Sequence, residues 1–231
     1  MKSVLIATFA VFWLVACGLN KAGAQSVEQI TKETQKTDTS NHKVTVVWWI
    51  PSEWWKRVLL RDKNVRPDAV QEILKTVENY TVVAVADANV GALAVLTYTP
   101  SEEIRKSITL TSVAGENYSP IAEEDLSPGA KNIFGMLKPI MANMLGQFGK
   151  SLEFYAFPAK DKADKPLADP FASGKIKVAM SGRSFSWRLP LGSLMRPKKC
   201  DTCGEEFSGN YNVCPFDGTK LKEFEPVLEN Q

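Results

Sequence analysis

Residues Lys43 to Ile50 read Lys-Val-Thr-Val-Val-Trp-Trp-Ile, and this stretch decides the fold of the main body. β-Branched and aromatic residues dominate it, which predicts a β-strand. From Val44 onward the stretch is apolar at nearly every position. Both faces of the strand should therefore be covered by other elements, as in the interior of a layered domain.

Helical and strand patterns alternate on the C-terminal side of this strand. The longest helix is predicted from Ser127-Pro128 to about Phe148, and Pro139 should kink it. Further helices are predicted from Pro51, from Pro67 to Asn79 and from Thr99-Pro100. Further strands are predicted over 80–86, 92–98, 108–113, 151–157, 176–180 and 184–189. Strands outnumber helices and hairpin signals are frequent, so residues 43–195 are predicted to form one α+β domain with a mainly antiparallel sheet and a long kinked helix.

The tryptophans at the start of this domain permit two interpretations. Trp48 and Trp49 end the strand, and Trp54 and Trp55 lie on the helix that follows it. Aromatic residues in such positions usually form core. Neighbouring side chains on a strand point to opposite faces, which leaves Trp48 and Trp54 as a possible ligand surface, for instance for a carbohydrate.

The N-terminus predicts export. Met1-Lys2 is followed by an almost wholly apolar run from Val4 to Ala16, too short for an ordinary membrane span and typical of a signal peptide over residues 1–16. Leu14-Val15-Ala16-Cys17 resembles the lipobox of bacterial lipoproteins, which implies that Cys17 is lipidated and begins the mature chain. The alternative is a cleavage site at Ala22-Gly23-Ala24.

Residues 17–42 are predicted to be a flexible tether. The stretch from Gln25 to Asn41 is rich in Thr, Gln, Lys, Glu and Ser, and such a segment cannot bury enough apolar surface to fold. It would hold the domain away from a membrane to which the lipid is attached. The expected location is the bacterial cell envelope, with the domain facing the periplasm or the cell exterior.

Near the C-terminus, Cys200-Asp-Thr-Cys203-Gly and Cys214-Pro-Phe-Asp217-Gly are two copies of one pattern, Cys-x-x-ligand-Gly. The pattern resembles the knuckles of zinc ribbons, except that Asp217 stands where a fourth cysteine is usual. Residues 196–231 are therefore predicted to form a small zinc-ribbon-like unit and tail. Three thiolates and one carboxylate complete a tetrahedral zinc site and leave no cysteine over once Cys17 is lipidated or removed.

Two other uses of these cysteines are open. In an oxidising compartment, Cys200 could form a disulfide with Cys203 or with Cys214, which leaves one free thiol. A redox Cys-x-x-Cys usually opens a helix, whereas a turn-rich hairpin signal follows Cys203. A catalytic zinc usually has a histidine ligand and an open position, and the single histidine, His42, is far away in sequence, so the zinc is predicted to be structural.

The composition excludes several functions and selects none. Lysine and arginine number 28 against 26 acids, a net charge of +2 without a basic block, so no nucleic-acid partner is expected. The combination of features resembles uncharacterised exported bacterial proteins. We expect a non-catalytic binding or assembly module of the envelope with a possible envelope protein partner. The alternative is a hydrolase that uses paired carboxylates on envelope glycans.

Overall fold

The computed structural model describes residues 27–61 and 66–224. The predicted signal peptide, Cys17, the first part of the predicted tether and the end of the tail lie outside these residues. The α-helices are α1 (Val27–Thr34), α2 (Ser52–Arg61), α3 (Pro67–Val77), α4 (Ser101–Ser107) and α5 (Pro128–Met144). The strands of the main body are β1 (Gln35–Asp38), β2 (Lys43–Ile50), β3 (Tyr80–Val90), β4 (Leu96–Tyr98), β5 (Thr109–Thr111), β6 (Asn117–Tyr118), β7 (Glu153–Pro158), β8 (Gly174–Met180) and β9 (Arg183–Leu189).

Two antiparallel sheets organise the main body. The larger has the order β1-β2-β3-β4, and β7 also pairs with β3. The smaller has the order β6-β5-β8-β9. All pairings between the named strands in the described residues are antiparallel, which confirms the α+β class with a mainly antiparallel sheet.

The strand β2 matches its predicted bounds and lies in the larger sheet with both faces covered. On one face Trp48 meets Trp54 of α2, with ring centroids 5.1 Å apart. On the other face Trp49 meets Trp187 of β9 at 6.2 Å. The domain therefore has helices on one side of the larger sheet and the smaller sheet on the other, which explains the apolar run in β2.

The predicted flexible tether is wrong for residues 27–38, which form α1 and β1. Ile30 is fully buried, and Thr34 accepts a hydrogen bond from the indole of Trp48 at 3.0 Å. The strand β1 pairs with β2 from Gln35 to Asp38. Composition alone does not predict this folded segment. One buried isoleucine and an edge strand are enough to order a polar segment when a preformed core is available to pack against.

The predicted break between the strands 80–86 and 92–98 lies too early in the chain. The strand β3 continues to Val90, and the connection to β4 is formed by residues 91–95. Asp87 remains inside the strand because three side chains satisfy its carboxylate, as described below.

The helix α5 begins and ends on local signals. The Ser127 hydroxyl caps it by accepting a hydrogen bond from the Ala130 N–H at 3.2 Å, and Pro139 lies inside it as predicted. It ends at Met144, earlier than predicted, and Gly146 follows in the left-handed region with φ of +58°. Among the helices of the described residues, none combines the length and the apolar character needed to cross a membrane.

The C-terminal unit has its own small sheet and its own hydrophobic cluster. The strands β10 (Lys198–Lys199), β11 (Glu206–Phe207) and β12 (Lys222–Glu223) pair in the order β11-β10-β12. Its buried residues are Cys200, Cys214 and Leu221, with Phe207 packed against them. So small a core makes the cysteine cluster central to the stability of this unit.

Candidate metal centre

The two Cys-x-x-ligand-Gly segments fold in the same way. In the first, the Cys200 N–H donates to the Glu205 carbonyl at 2.9 Å and the Gly204 N–H donates to the Cys200 carbonyl at 3.0 Å. The second repeats this pattern with Cys214, Gly218 and Thr219, at 2.7 and 2.9 Å. The sequence repeat is therefore a structural repeat, with one hairpin-like knuckle in each copy.

A glycine closes each knuckle for a conformational reason. Gly204 and Gly218 have φ of +76° and +73°, in the left-handed region where a side chain is strained. The turn bends the chain back so that both potential ligands of a knuckle point to the same side. The spacing in the sequence is thus a consequence of turn geometry.

Four potential ligand atoms converge between the knuckles. The atoms offered by Cys200, Cys203, Cys214 and Asp217 all lie within 4.8 Å of one another. The Sγ atoms of Cys203 and Cys214 are 3.7 Å apart, and Cys200 Sγ lies 3.3 Å from Asp217 Oδ2. A tetrahedral zinc with ordinary bond lengths would separate two sulfurs by about 3.8 Å and a sulfur from an oxygen by about 3.5 Å. The cluster can hold a metal ion, and its dimensions are consistent with zinc.

Hydrogen bonds prepare some of these groups for coordination. The backbone N–H of Cys203 favours the thiolate of Cys200 and lowers its pKa. The pKa of the Asp217 carboxyl falls to about 2, chiefly because the backbone N–H of Thr219 donates to it. Both shifts favour the anionic forms that bind a metal.

Crowding acts in the opposite direction on Cys203. The backbone N–H of Glu205 favours its thiolate, but desolvation and the neighbouring cysteines together raise the pKa of Cys203 to about 11. Thiolates packed so closely repel one another, and a bound cation relieves that repulsion. The electrostatics therefore favour a metal-bound cluster over a set of free thiolates.

The disulfide and redox alternatives fit this geometry less well. No disulfide joins Cys200, Cys203 and Cys214 in the described residues, and their sulfur atoms surround a common centre together with the Asp217 carboxylate, within 4.8 Å of one another, instead of pairing off. The residues after Cys203 form β11 rather than the helix that usually follows a redox Cys-x-x-Cys.

The C-terminal unit docks onto the main body through a close approach of backbones. A Cβ on Gly209 would lie 2.4 Å from the Cβ of Met195, the last residue of the main body, and 2.3 Å from the carbonyl oxygen of Arg196, so only glycine fits there. A Cβ on Gly192 would lie 2.0 Å from the Ser208 hydroxyl. The Gly192 and Ser193 N–H groups in turn donate to the carboxylate of Glu33 in α1, both at 2.8 Å. A chain of contacts thus joins the cysteine cluster's unit to the first helix.

The predicted ligand surface at Trp48 and Trp54 is not one. Their side chains are 8% and 7% exposed, and both indole N–H groups donate to threonines of α1, at 3.0 and 2.9 Å. The helix that was predicted to be tether covers them.

Sequence reasoning missed one polar centre, around Asp87. Its buried carboxylate pairs with Lys43 at 2.7 Å and accepts hydrogen bonds from Thr45 at 2.5 Å and Thr99 at 2.6 Å. Burial alone would raise the pKa of Asp87, but these hydrogen bonds outweigh it and lower the pKa. The available signal was a single acid within the apolar run Val82 to Val90, which indicates a satisfied buried charge rather than a turn.

Comparisons with known proteins do not identify the chain. No protein-family model matches it, and no curated protein and no solved structure is significantly similar to it.

Proposed function

We propose that this chain is a non-catalytic binding or assembly protein of the bacterial cell envelope, anchored by a lipid on Cys17 and stabilised by a structural zinc ion. The observation that carries the non-catalytic part is the closed donor set of the candidate metal centre. Three sulfurs and one carboxylate lie within 4.8 Å of one another and would fill all four positions around a tetrahedral ion. A catalytic zinc normally keeps one position for water or substrate.

Zinc is the metal that best suits this donor set. Soft thiolates and tetrahedral geometry favour zinc over calcium and magnesium, which prefer oxygen ligands. When bound, the ion would neutralise the crowded thiolates and join the two knuckles. Cys200, Cys203, Cys214 and Asp217 would hold it, and the small cluster formed with Leu221 and Phe207 would depend on it.

Exposed aromatic side chains on the C-terminal unit support a binding role. The ring of Phe207 lies 5.9 Å from that of Tyr211 and 6.1 Å from that of Phe216. Phe216 is 75% exposed, and Val213, three residues earlier in the chain, is 53% exposed. Aromatic residues are enriched in the energetic centres of protein interfaces.

The hydrolase alternative has less support. Its sugar-stacking candidates, Trp48 and Trp54, are core residues. Within the described residues, Asp87 is the acid that is fully buried, and Lys43, Thr45 and Thr99 occupy it. A carboxylate held in this way serves the fold rather than acid–base chemistry.

The zinc assignment is tested with the variant Cys203→Ser. Protein purified from its native compartment should carry about one zinc per chain by elemental analysis, and the variant should carry almost none, since a hydroxyl replaces a thiolate ligand. The main domain should stay folded by circular dichroism. The matched control is Asp201→Asn, an exposed neighbour that pairs with Lys222. Equal zinc in the Cys203→Ser variant and the wild type would refute the assignment.

The binding and anchoring parts are tested in cells. Labelled palmitate should be incorporated into the wild type and not into Cys17→Ser. A photo-crosslinking amino acid at Phe216 should give a discrete adduct with an envelope protein. The same residue at Leu60, which is 69% exposed on α2, is the control position. Hydrolysis of envelope glycans by the pure protein, without any adduct, would instead favour the enzyme.

A further inference from the structure

Two free strand edges face each other at one side of the domain. The strands β1 and β9 are the edge strands of the larger and the smaller sheet, and no backbone pairing joins them within the described residues. Trp187 bridges them at one end, where its indole N–H donates to the Thr34 carbonyl at 2.7 Å. Arg183 bridges them at the other end, 3.4 Å from Asp38 and 3.2 Å from the Ser40 carbonyl.

The space between these bridges is an open groove of about 420 Å³, which we call the edge groove. It is lined by Lys36, Thr37 and Asp38 on one side and by residues 183–186 on the other. Phe185, only 7% exposed, is its apolar residue.

The backbone of β9 presents hydrogen-bonding groups to the edge groove. The turn between β8 and β9 consists of Ser181 and Gly182, both with positive φ, so the flanking pair Met180–Arg183 is hydrogen-bonded. Residue pairs in an antiparallel ladder alternate between hydrogen-bonded and non-hydrogen-bonded pairs. The next residue of β9 whose backbone bonds to β8 is therefore Phe185. Ser184 and Ser186 therefore direct their N–H and C=O groups away from β8, into the groove.

The free edge of β1 also presents backbone hydrogen-bonding groups to the edge groove. The Lys43 N–H donates to the Ser40 carbonyl at 3.0 Å and closes the turn between β1 and β2. Hydrogen-bonded pairs alternate from this turn onward, so the backbone of Asp38 bonds to Thr45 of β2. The backbone N–H and C=O groups of Thr37, the preceding residue, therefore point away from β2. Both walls of the groove thus offer backbone donors and acceptors at the spacing of a β-strand.

The charges beside the edge groove are predominantly positive. Lys36 forms no ion pair with any described residue, and the acid of the groove, Asp38, is paired with Arg183. On the solvent face of the smaller sheet, Lys175 lies directly opposite Arg188. Like charges in that position destabilise a sheet, so an anionic partner would relieve their repulsion.

We propose that the edge groove binds an extended, acidic polypeptide segment by strand addition to β9. Along a free strand edge, the backbone donors and acceptors recur at every second residue, about 6.8 Å apart. An extended chain presents its own backbone donors and acceptors at the same repeat, so it can pair with such an edge. Its carboxylates would meet Lys36 and the cations beside the groove. The inference rests on the proposed binding function and names the class of partner that this function would use.

Titration of the full-length protein with a defined peptide tests the inference. The probe is a fluorescent, end-blocked peptide of about four residues that alternates threonine and glutamate, which matches the residues of β9 that line the groove, 183–186. Binding should be saturable by anisotropy. A peptide that alternates threonine and lysine should not bind, and an acidic peptide methylated on alternate backbone nitrogens should bind at least about fivefold more weakly.

Two protein variants separate strand addition from simple charge attraction. Ser186→Pro removes one outward N–H at an edge position where proline is tolerated, and it should weaken binding about fivefold. Lys36→Glu should weaken it by about fivefold or more through charge reversal. Lys75→Glu, on the exposed side of α3, is the matched control and should bind like the wild type.

The inference is overturned by the absence of saturable binding up to about 1 mM peptide. It is also overturned if backbone methylation has no effect, because the attraction would then be to any polyanion, including an anionic membrane. The methylated peptide gives this answer even if Ser186→Pro fails to fold. If the Phe216 adduct forms in cells while the peptide does not bind, the groove inference fails and the proposed function stands.

Discussion

At the scale of single residues, Asp217 is the most consequential position of the C-terminal unit. It departs from the usual zinc-ribbon cysteine, yet its carboxylate lies 3.3 Å from Cys200 Sγ and its backbone neighbour Thr219 holds it in place. A ligand position is set by the turn of the knuckle, and the residue type at that position then tunes the donor strength.

Asp217→Cys should therefore keep the metal site and bind zinc more tightly. Thiolate is the softer donor, and the left-handed Gly218 that shapes the turn is unchanged. Zinc loss to a chelator, followed with a colorimetric indicator, should be slower than in the wild type. A variant that binds no zinc at all would show that Asp217 does not occupy the ligand position.

The buried pair of Lys43 and Asp87 gives a second prediction at this scale. Lys43→Met leaves the Asp87 charge buried without its ion-pair partner and should lower the free energy of unfolding by about 3 kcal/mol. Urea denaturation at neutral pH measures the change. Lys75→Met, on an exposed helix surface, should change stability by no more than about 0.5 kcal/mol.

The pH dependence of this pair has a defined sign. The pKa of Asp87 is lower in the folded state than its usual value of about 3.9, so the ionised carboxylate stabilises the fold at higher pH. That contribution should be lost as the pH falls below about 4 and through the folded pKa. In Lys43→Met the loss should begin at higher pH, because burial then raises the pKa of Asp87.

At the scale of elements, α1 and β1 belong to the folded domain. Ile30 is fully buried, and Thr31 and Thr34 receive the indole N–H groups of Trp54 and Trp48. Glu33 also holds the Gly192 turn. An element with little apolar content can thus be well fixed when its few contacts reach buried groups.

Truncation tests this assignment. A chain that begins at Thr39 should be less stable than one that begins at Val27 by at least about 4 kcal/mol. The loss follows from the exposure of core covered by Ile30 and from two unpaired indole N–H groups. Equal melting temperatures for the two truncated chains would show that α1 contributes nothing.

At the scale of the whole molecule, the C-terminal unit and the main body are two hydrophobic clusters joined by close backbone contacts. Gly209 packs against Met195 and the Arg196 carbonyl, and Asn210 lies beside Pro190, its amide nitrogen 3.5 Å from the proline carbonyl oxygen. The candidate metal ligands are not part of this junction. Docking of the unit and metal binding should therefore be separable.

Gly209→Ala should separate them. The added methyl would lie 2.3 Å from the Arg196 carbonyl oxygen, and such overpacking costs about 1–3 kcal/mol. Hydrogen exchange should rise around residues 190–196, while the zinc content stays near one per chain. Gly135→Ala, with open space around it, is the control. Loss of zinc in Gly209→Ala would mean that docking and coordination are coupled.

Much of the fold was predictable because local patterns carry it. The strand Lys43 to Ile50, the helix that starts after Ser127 and the hairpin around Ser181-Gly182 each have residue preferences that act over a few positions. The candidate metal centre was predictable for the same reason, since each Cys-x-x-ligand-Gly turn is local and two copies are needed for four ligands.

The amino-acid sequence by itself thus determined the α+β class, the apolar strand at the centre of the layers and the four potential ligands, because those depend on short-range turn and strand preferences. Only the tertiary structure decided that residues 27–38 fold, that Trp48 and Trp54 are buried and that Asp87 lies within a strand. These outcomes depend on contacts between residues distant in the chain: Thr34 with Trp48, and Asp87 with Lys43. A polar segment gains its order from a core that other segments build, and composition does not contain that information.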